Sequence, residues 1–204
     1  KTRRFGYRNL HKINRYGLFL RSDLILKLKK NYKKEIGVKP LVKRLTKNKS
    51  FCSLIVGNGQ NILFEKYAKD FSYNQPQTIM SITKMFANLF VGELLKNKKI
   101  NLNKNVSYYL PKIGSGYAKA KVQDILNMNV VNAYTEDYTK AYSSSFMHEP
   151  VGGWRLPKSG QIKLSQEQYL NTIKNIKNRD LKNNSEYALY KSANTDVIGL
   201  IIEK

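Results

Sequence analysis

An apolar helix that starts near Ser81 is the feature that most restricts how this chain can fold. At about 100° per residue, Ser81, Lys84 and Asn88 lie within a sector roughly 60° wide. Large apolar side chains occupy most of the remaining circumference, and helices with this distribution are buried on nearly all sides. The pattern therefore predicts a central helix over residues 81–95 that other elements cover almost completely.

The narrow polar sector of this helix places a serine one turn before a lysine. A charged lysine is costly in apolar surroundings, so Lys84 is expected to lose its proton more readily than a surface lysine does. A neutral amine can take the proton of Ser81, whose hydroxyl is a weak nucleophile without a base. The spacing alone leaves a second interpretation open, in which Ser81 is an ordinary N-cap and Lys84 extends into solvent.

The formal net charge of +23 is concentrated at the start of the chain, where residues 1–50 contain 17 Lys and Arg against two acidic residues. We interpret residues 1–50 as a basic N-terminal arm and residues 51–204 as part of a folded domain. Lys and Asn are abundant along the whole chain, which favours compositional bias over attraction to an anionic surface, and we expect no nucleic-acid partner. A short amphipathic helix in the arm is indicated by Tyr7, Leu10, Ile13 and Tyr16.

Few residues suit a metal site, a disulfide or a membrane span. Cys52 is the one cysteine, and His11 and His148 are the two histidines, with no spacing typical of metal ligands. We therefore expect no metal, no cofactor and no internal disulfide. The apolar run 17–20 is followed by charged residues, so no transmembrane segment is expected either. A signal segment before Lys1 would direct the protein to the periplasm or a membrane, and the sequence leaves localisation and oligomeric state open.

Around the central helix, the pattern alternates between short strands, helices and loops. Two apolar runs, 51–56 and 62–67, flank a turn rich in Gly and Asn and predict an antiparallel hairpin. Residues 130–160 form a long irregular segment with several aromatic side chains, and long loops of this kind are often functional. Further helices are predicted within 100–111, at 122–128, at 166–176, and from a cap at Asn194 or Thr195 to the end of the chain.

In this order, the segments resemble the serine β-lactamase and penicillin-recognising superfamily, in which Ser-x-x-Lys opens a buried central helix. The resemblance covers residues 51–204 and implies an α/β (α+β) fold, with an antiparallel sheet flanked by helices and a mostly helical second lobe. The blocks that carry it are Phe64-Glu65-Lys66-Tyr67-Ala68, Met80-Ser81-Ile82-Thr83-Lys84, the stretch from Lys99-Ile100-Asn101-Leu102 to Tyr109-Leu110-Pro111, and Tyr190-x-Ser192.

Within that superfamily, the chain is most similar to the 6-aminohexanoate-dimer hydrolases and related esterases. Ser192 stands where class C β-lactamases have the asparagine of a Tyr-x-Asn motif, which separates the chain from those enzymes. The similarity rests on Glu136-Asp137-Tyr138, on Gly153-Trp154-Arg155, and on the segment that begins Tyr190-Lys191-Ser192-Ala193-Asn194-Thr195-Asp196.

The resemblance implies acyl transfer to water through a Ser81 acyl-enzyme, with a small-molecule amide or ester as substrate. Lys84 would be the base that activates Ser81, and Tyr190 would protonate the leaving nitrogen or oxygen. The expected substrate contacts are Ser192, Tyr138 and Trp154. For the two aromatic residues, packing of the loop against the helical part is an equal alternative to lining a substrate cleft.

Two departures from the family pattern affect these expectations. Val130-Val131 stands where the family has Ser-Gly, which predicts a diverged pocket. The family's Lys/His-Thr-Gly strand and the strand that supplies a second oxyanion donor would follow Lys204, so we expect an incomplete chain without its C-terminal strands. Two alternatives therefore stay open, namely a DD-peptidase or β-lactamase of the same fold, and a non-catalytic homologue that binds through its basic arm.

Overall fold

The computed structural model describes residues 2–12 and 22–204, with side chains described from residue 5 onward. The chain divides into two compact units, Lys1–Ile79 and Met80–Lys204. This division falls later than the boundary expected after residue 50, which remains a prediction. In the predicted amphipathic helix, Ile13 and Tyr16 lie outside the described residues, as does the apolar run 17–20.

The first unit is built on a three-stranded sheet of order β1-β3-β2. The strands β2 (Ser53–Asn58) and β3 (Asn61–Tyr67) pair antiparallel, which confirms the predicted hairpin. In the turn, Gly59 has a φ of 54°, a left-handed conformation that glycine adopts without strain. The strand β1 (Lys29–Lys30) pairs in parallel with β3, so the described sheet combines the expected antiparallel pair with one short parallel strand.

Helices from the basic N-terminal region pack beside this sheet. The chain begins with α1 (Thr2–Asn9), and α2 (Lys34–Val38) lies against β3, where a Cβ on Gly37 would stand 2.9 Å from the ring of Phe64. The next helix, α3 (Pro40–Lys47), starts with proline, which suits the first helical position because it lacks an N–H. Strand β1 and helix α2 of this region therefore lie against β3 of the hairpin.

The second unit is helical in its described residues, with isolated β-bridges but no strand of its own. Its first helices, α4, α5 and α6, follow a 3₁₀ turn at Met80–Thr83. The helices predicted within 100–111, 122–128 and 166–176 are confirmed as α5, α7 and α9. The bounds are α4 (Lys84–Lys96), α5 (Val106–Tyr109), α6 (Ser115–Ala118), α7 (Val122–Leu126), α8 (Ser144–His148), α9 (Gln166–Asn171) and α10 (Ser192–Ile202).

The core of the second unit lies where α10 packs against α4 and α7. Val91 of α4, Ile125 of α7 and Val197 of α10 are each at most 1% exposed. Inside this core, the hydroxyl of Tyr117 donates to Oδ1 of Asn194 at 2.9 Å, so both buried polar groups are satisfied. The core thereby fixes α4, which begins at Lys84, and α10, which begins at Ser192.

Within the second unit, the helix after Ser81 is covered on one side only, so its neighbours there do not bury it on nearly all sides as predicted. Val91 faces the core, whereas Leu89 is 62% exposed and Phe90 is 58% exposed. Periodicity shows which positions are apolar, but it does not show on how many sides other elements pack. We call the uncovered side the exposed apolar row, and it consists of Ile82, Met85, Phe86, Leu89 and Phe90.

The last helix begins earlier than predicted, because its cap comes from elsewhere in the chain. Since α10 starts at Ser192, Asn194 and Thr195 both lie inside the helix, and neither is its cap. The local N-cap residue, Lys191, makes no capping bond with its side chain. A carboxylate from the long segment 130–160 takes this role.

Candidate active site

Ser81 and Lys84 are in direct contact. Nζ of Lys84 lies 3.0 Å from Oγ of Ser81, the arrangement that proton transfer from the hydroxyl to the amine requires. Ser81 sits in the 3₁₀ turn before α4, directly after Met80, which has a φ of 48°. A left-handed conformation is unusual for methionine, and strained residues of this kind cluster at functional sites.

Tyr190 lies beside the same lysine. Nζ of Lys84 is 5.5 Å from the centroid of the Tyr190 ring, and the tyrosine is 45% exposed. Burial by itself would raise the pKa of Tyr190, but the interactions of its phenol with Ser81 and Lys84 outweigh burial and leave the pKa below its ordinary value. The three residues to which the resemblance assigns catalysis thus meet at one place.

Glu136 binds two of the predicted substrate contacts. Its Oε2 accepts from the backbone N–H of Ser192 at 2.9 Å, and its Oε1 accepts from the Ser192 hydroxyl at 2.8 Å. The hydroxyl of Tyr138 donates to the same carboxylate. Burial, followed by the bond to Glu136, raises the pKa of Tyr138 to about 12, so this phenol stays protonated at neutral pH.

A cavity of about 550 Å³ opens in front of Ser81 and Lys84. Ser192, Tyr138 and Trp154 also line it, so the structure brings five predicted site residues to one cavity. Trp154 is 60% exposed and follows Gly153. Gly153 has a φ of 75°, a left-handed conformation that glycine adopts without strain. The arrangement is a polar centre flanked by aromatic side chains, which is typical of small-molecule sites.

Arg155 anchors the loop that presents Trp154. Its guanidinium donates from Nη2 to the carbonyl of Phe146 at 2.6 Å and lies 3.5 Å from the centroid of the Phe146 ring. Nε of Arg155 is also 3.5 Å from Oε2 of Glu149, which lines the cavity. The Gly-Trp-Arg motif thus combines a flexible backbone position with a side chain that holds the loop in place.

A buried histidine forms a second polar group along the cavity, which the sequence analysis did not single out. Nε2 of His148 is 3.2 Å from Oδ2 of Asp196, and Nδ1 is 3.2 Å from the hydroxyl of Tyr134. The ring also stacks on Tyr169, with centroids 4.5 Å apart. A lone histidine gives no sequence signal for such a role, because its partners lie 14 and 48 positions away along the chain.

The pKa values of this pair define the direction of its hydrogen bonds. Burial lowers the pKa of His148 to about 4 and raises that of Asp196 to about 6, so near neutral pH the imidazole is uncharged and the carboxylate is ionised. A carboxylate can only accept, so Nε2–H of His148 donates to Asp196. Nδ1 must then accept from Tyr134, whose hydroxyl keeps its proton because burial raises its pKa.

Lys191, between Tyr190 and Ser192, is a further buried group that the sequence analysis did not assign. It is 8% exposed, its ammonium donates to the backbone carbonyl of Tyr134, and burial lowers its pKa. The bond ties the chain next to Tyr190 to the start of the loop that carries Glu136.

Neither a metal centre nor a membrane span is found in the described part of the chain. No cluster of three or more His, Cys, Asp or Glu side chains there could hold a metal ion. Across residues 2–12 and 22–204, no helix combines the length and the apolar character needed to cross a bilayer. Cys52 is a free, half-buried thiol in the first unit.

Comparison with known proteins finds similarity both in sequence and in structure. No family model matches the chain. Over 153 residues, the chain is 30% identical to a 6-aminohexanoate-dimer hydrolase of Paenarthrobacter ureafaciens, a match that covers 74% of this chain and 37% of the relative. The solved structure of the "Putative 6-aminohexanoate-dimer hydrolase from Bacillus anthracis" aligns with a TM-score of 0.75 at 16% identity, over 98% of this chain and 54% of that one. The chain thus has the fold of part of that structure and spans about half or less of either protein.

Proposed function

We propose that this chain carries the nucleophile, base and proton donor of a β-lactamase-related serine hydrolase that cleaves a small-molecule amide or ester. The observation that supports it best is the 3.0 Å contact between Nζ of Lys84 and Oγ of Ser81. The contact lies at a cavity, with Tyr190 beside the same amine. Sequence similarity to an amide-cleaving hydrolase supports the same conclusion independently.

The proposed reaction begins with transfer of the Ser81 hydroxyl proton to Nζ of Lys84. Oγ then attacks the substrate carbonyl, and the N–H of Ser81 supplies one hydrogen bond to the developing oxyanion. The phenol of Tyr190 protonates the leaving nitrogen or oxygen, and the ammonium of Lys84 returns a proton to the phenolate. Water cleaves the resulting Ser81 ester by the same transfers in reverse.

An amide related to a 6-aminohexanoate dimer is the substrate class that this proposal favours. Such a molecule is long, flexible and largely apolar between its polar ends, and the cavity offers Tyr138 and Trp154 as apolar walls. Ser192 and Glu149 also line the cavity and supply polar contacts. A DD-peptidase of the same fold would instead be acylated stably by penicillin, whereas a β-lactamase would hydrolyse penicillin.

Labelling with a fluorophosphonate probe tests the nucleophile in the full-length protein. We expect covalent labelling at Ser81, loss of labelling in Ser81→Ala, and loss in Lys84→Ala because the hydroxyl then lacks its base. Matched controls are Ser159→Ala and Lys96→Ala, which alter exposed residues outside the cavity and should label normally. A folded protein that stays unlabelled at Ser81 would refute the proposal, and stable acylation by penicillin would redirect it to the penicillin-recognising enzymes.

A further inference from the structure

The carboxylate of Glu136 joins Tyr138 and Ser192, two residues of the cavity wall that are 54 positions apart in the sequence. It accepts from the N–H and the hydroxyl of Ser192, at 2.9 Å and 2.8 Å, and from the hydroxyl of Tyr138. Three donors on one carboxylate use most of its acceptor capacity. Glu136 does not itself line the cavity, so its effect on chemistry must act through these neighbours.

The start of α10 depends on this carboxylate. The first N–H groups of a helix have no partner inside it, and negative charge is stabilising at that end. Lys191 makes no side-chain capping bond there, and Glu136 accepts from the N–H of Ser192 instead. The position of the first turn of α10, two residues after Tyr190, is thus fixed by a residue from a distant loop.

Tyr190 is held from both sides along the backbone. On its N-terminal side, the N–H of Leu189 donates to the carbonyl of Met128 at 2.7 Å. On its C-terminal side, the ammonium of Lys191 binds the carbonyl of Tyr134, and Ser192 binds Glu136. Between these anchors, the Tyr190 ring lies beside the amine of Lys84.

We propose that Glu136 is a positioning residue that sets the distance of the Tyr190 phenol from Ser81 and Lys84. The inference rests on the proposed function, because the position of Tyr190 matters only if its phenol transfers a proton. Glu136→Gln keeps the size of the side chain, but its amide group has one acceptor oxygen where the carboxylate has two. In one orientation its NH₂ would face the N–H of Ser192, and in the other the helix start would keep that bond but lose the negative charge that stabilises it, so in either case the first turn of α10 and Tyr190 would shift together.

A comparison of two substrates in the full-length protein separates positioning from general damage. An amide needs a proton on its leaving nitrogen, whereas p-nitrophenolate leaves from an activated ester without one. A misplaced general acid can cost about 100-fold, so we expect Glu136→Gln to lower kcat for a 6-aminohexanoate amide by about that factor. For p-nitrophenyl acetate, we expect the acylation rate, measured as the burst of p-nitrophenolate, to fall by less than about 3-fold, because acid catalysis contributes little to that step. Tyr190→Phe should show the same selective pattern.

Two further variants keep the test decisive. Ser192→Ala removes one of the three bonds to Glu136 but retains the backbone N–H, so its amide-selective loss should be smaller and in the same direction. Glu186→Gln makes the same chemical change at an exposed position near Tyr190 and should leave both activities unchanged. Equal losses on both substrates in Glu136→Gln, or no loss, would overturn the positioning role. If the unmodified protein neither labels at Ser81 nor turns over either substrate, the proposed function itself fails.

Discussion

Asp196 and His148 should change the free energy of unfolding in opposite directions as the pH falls. Substitution of one residue should therefore expose the pH dependence that the other contributes. The folded pKa of His148 is about 4 against an ordinary value of 6.5, and that of Asp196 is about 6 against 3.8, in both cases because of burial. At His148, the unfolded chain therefore binds more protons than the folded chain does. At Asp196, the folded chain binds more protons than the unfolded chain does. The stability contribution of His148 is present above pH 6.5 and is lost as the pH falls towards 4, whereas that of Asp196 is present below pH 3.8 and is lost as the pH rises through 6.

The size of each contribution follows from these values. Between pH 8 and pH 5, proton linkage at His148 lowers the free energy of unfolding by about 2 kcal/mol. Linkage at Asp196 raises it by about 1 kcal/mol, a figure reduced because the Asp196 side chain is 31% exposed. From pH 8 to pH 5, the free energy of unfolding of the unmodified chain should thus fall by about 1 kcal/mol through this pair. It should fall by about 2 kcal/mol in Asp196→Asn and rise by about 1 kcal/mol in His148→Gln.

Urea unfolding at pH 8 and pH 5 measures these differences directly. Each variant is compared with the unmodified chain at both pH values, so that contributions of other groups cancel. Asp180→Asn is a matched control, because Asp180 is exposed and its substitution should leave the pH dependence unchanged. If Asp196→Asn and His148→Gln show the same pH dependence, the assignment of opposite shifts to the two residues is wrong.

Two further pairs of variants test the fold. Val91→Ala, at a position 1% exposed, should lower the free energy of unfolding of this 204-residue chain by about 2 kcal/mol through an internal cavity. Leu89→Ala, at a position 62% exposed on the same helix, should change it by less than about 0.5 kcal/mol, and equal losses would contradict the one-sided burial of α4. Gly92→Ala should raise the free energy of unfolding by about 1 kcal/mol, because nothing lies within 4 Å of the new Cβ and glycine is unfavourable inside a helix. Gly116→Ala should lower the free energy of unfolding by about 1–3 kcal/mol, because the new Cβ would stand 2.8 Å from the carbonyl oxygen of Lys174. An unchanged free energy of unfolding would contradict this close packing.

The contact between Ser81 and Lys84 could be predicted from the sequence because it is local. Residues three positions apart on a helical turn face the same side, so their spacing defines their proximity. The hairpin was predictable for a similar reason, since Gly59 and its neighbours form the turn that sets the strand pairing. The position of Tyr190 depends on contacts across the fold, and family resemblance was needed to connect it with Ser81.

Other parts of the site could not be obtained from local patterns. Glu136 caps a helix that starts 56 positions later, and helix propensity near Asn194 and Thr195 gives no sign of it. The role of His148 depends on its contacts with Tyr134 and Asp196, and a single sequence does not show that these three residues meet. The one-sided burial of α4 also depends on where other elements pack, which the apolar period of a helix does not define.

The exposed apolar row on α4 also governs how solutions of this chain should behave. Contiguous apolar side chains attract one another between molecules, while a net charge of +23 keeps copies apart at low ionic strength. Added salt shortens the range of this repulsion from about 10 Å at 0.1 M to about 3 Å at 1 M and leaves the apolar attraction in place. The colloidal stability of the chain should therefore decrease as salt is added, and light scattering should rise with ionic strength rather than fall.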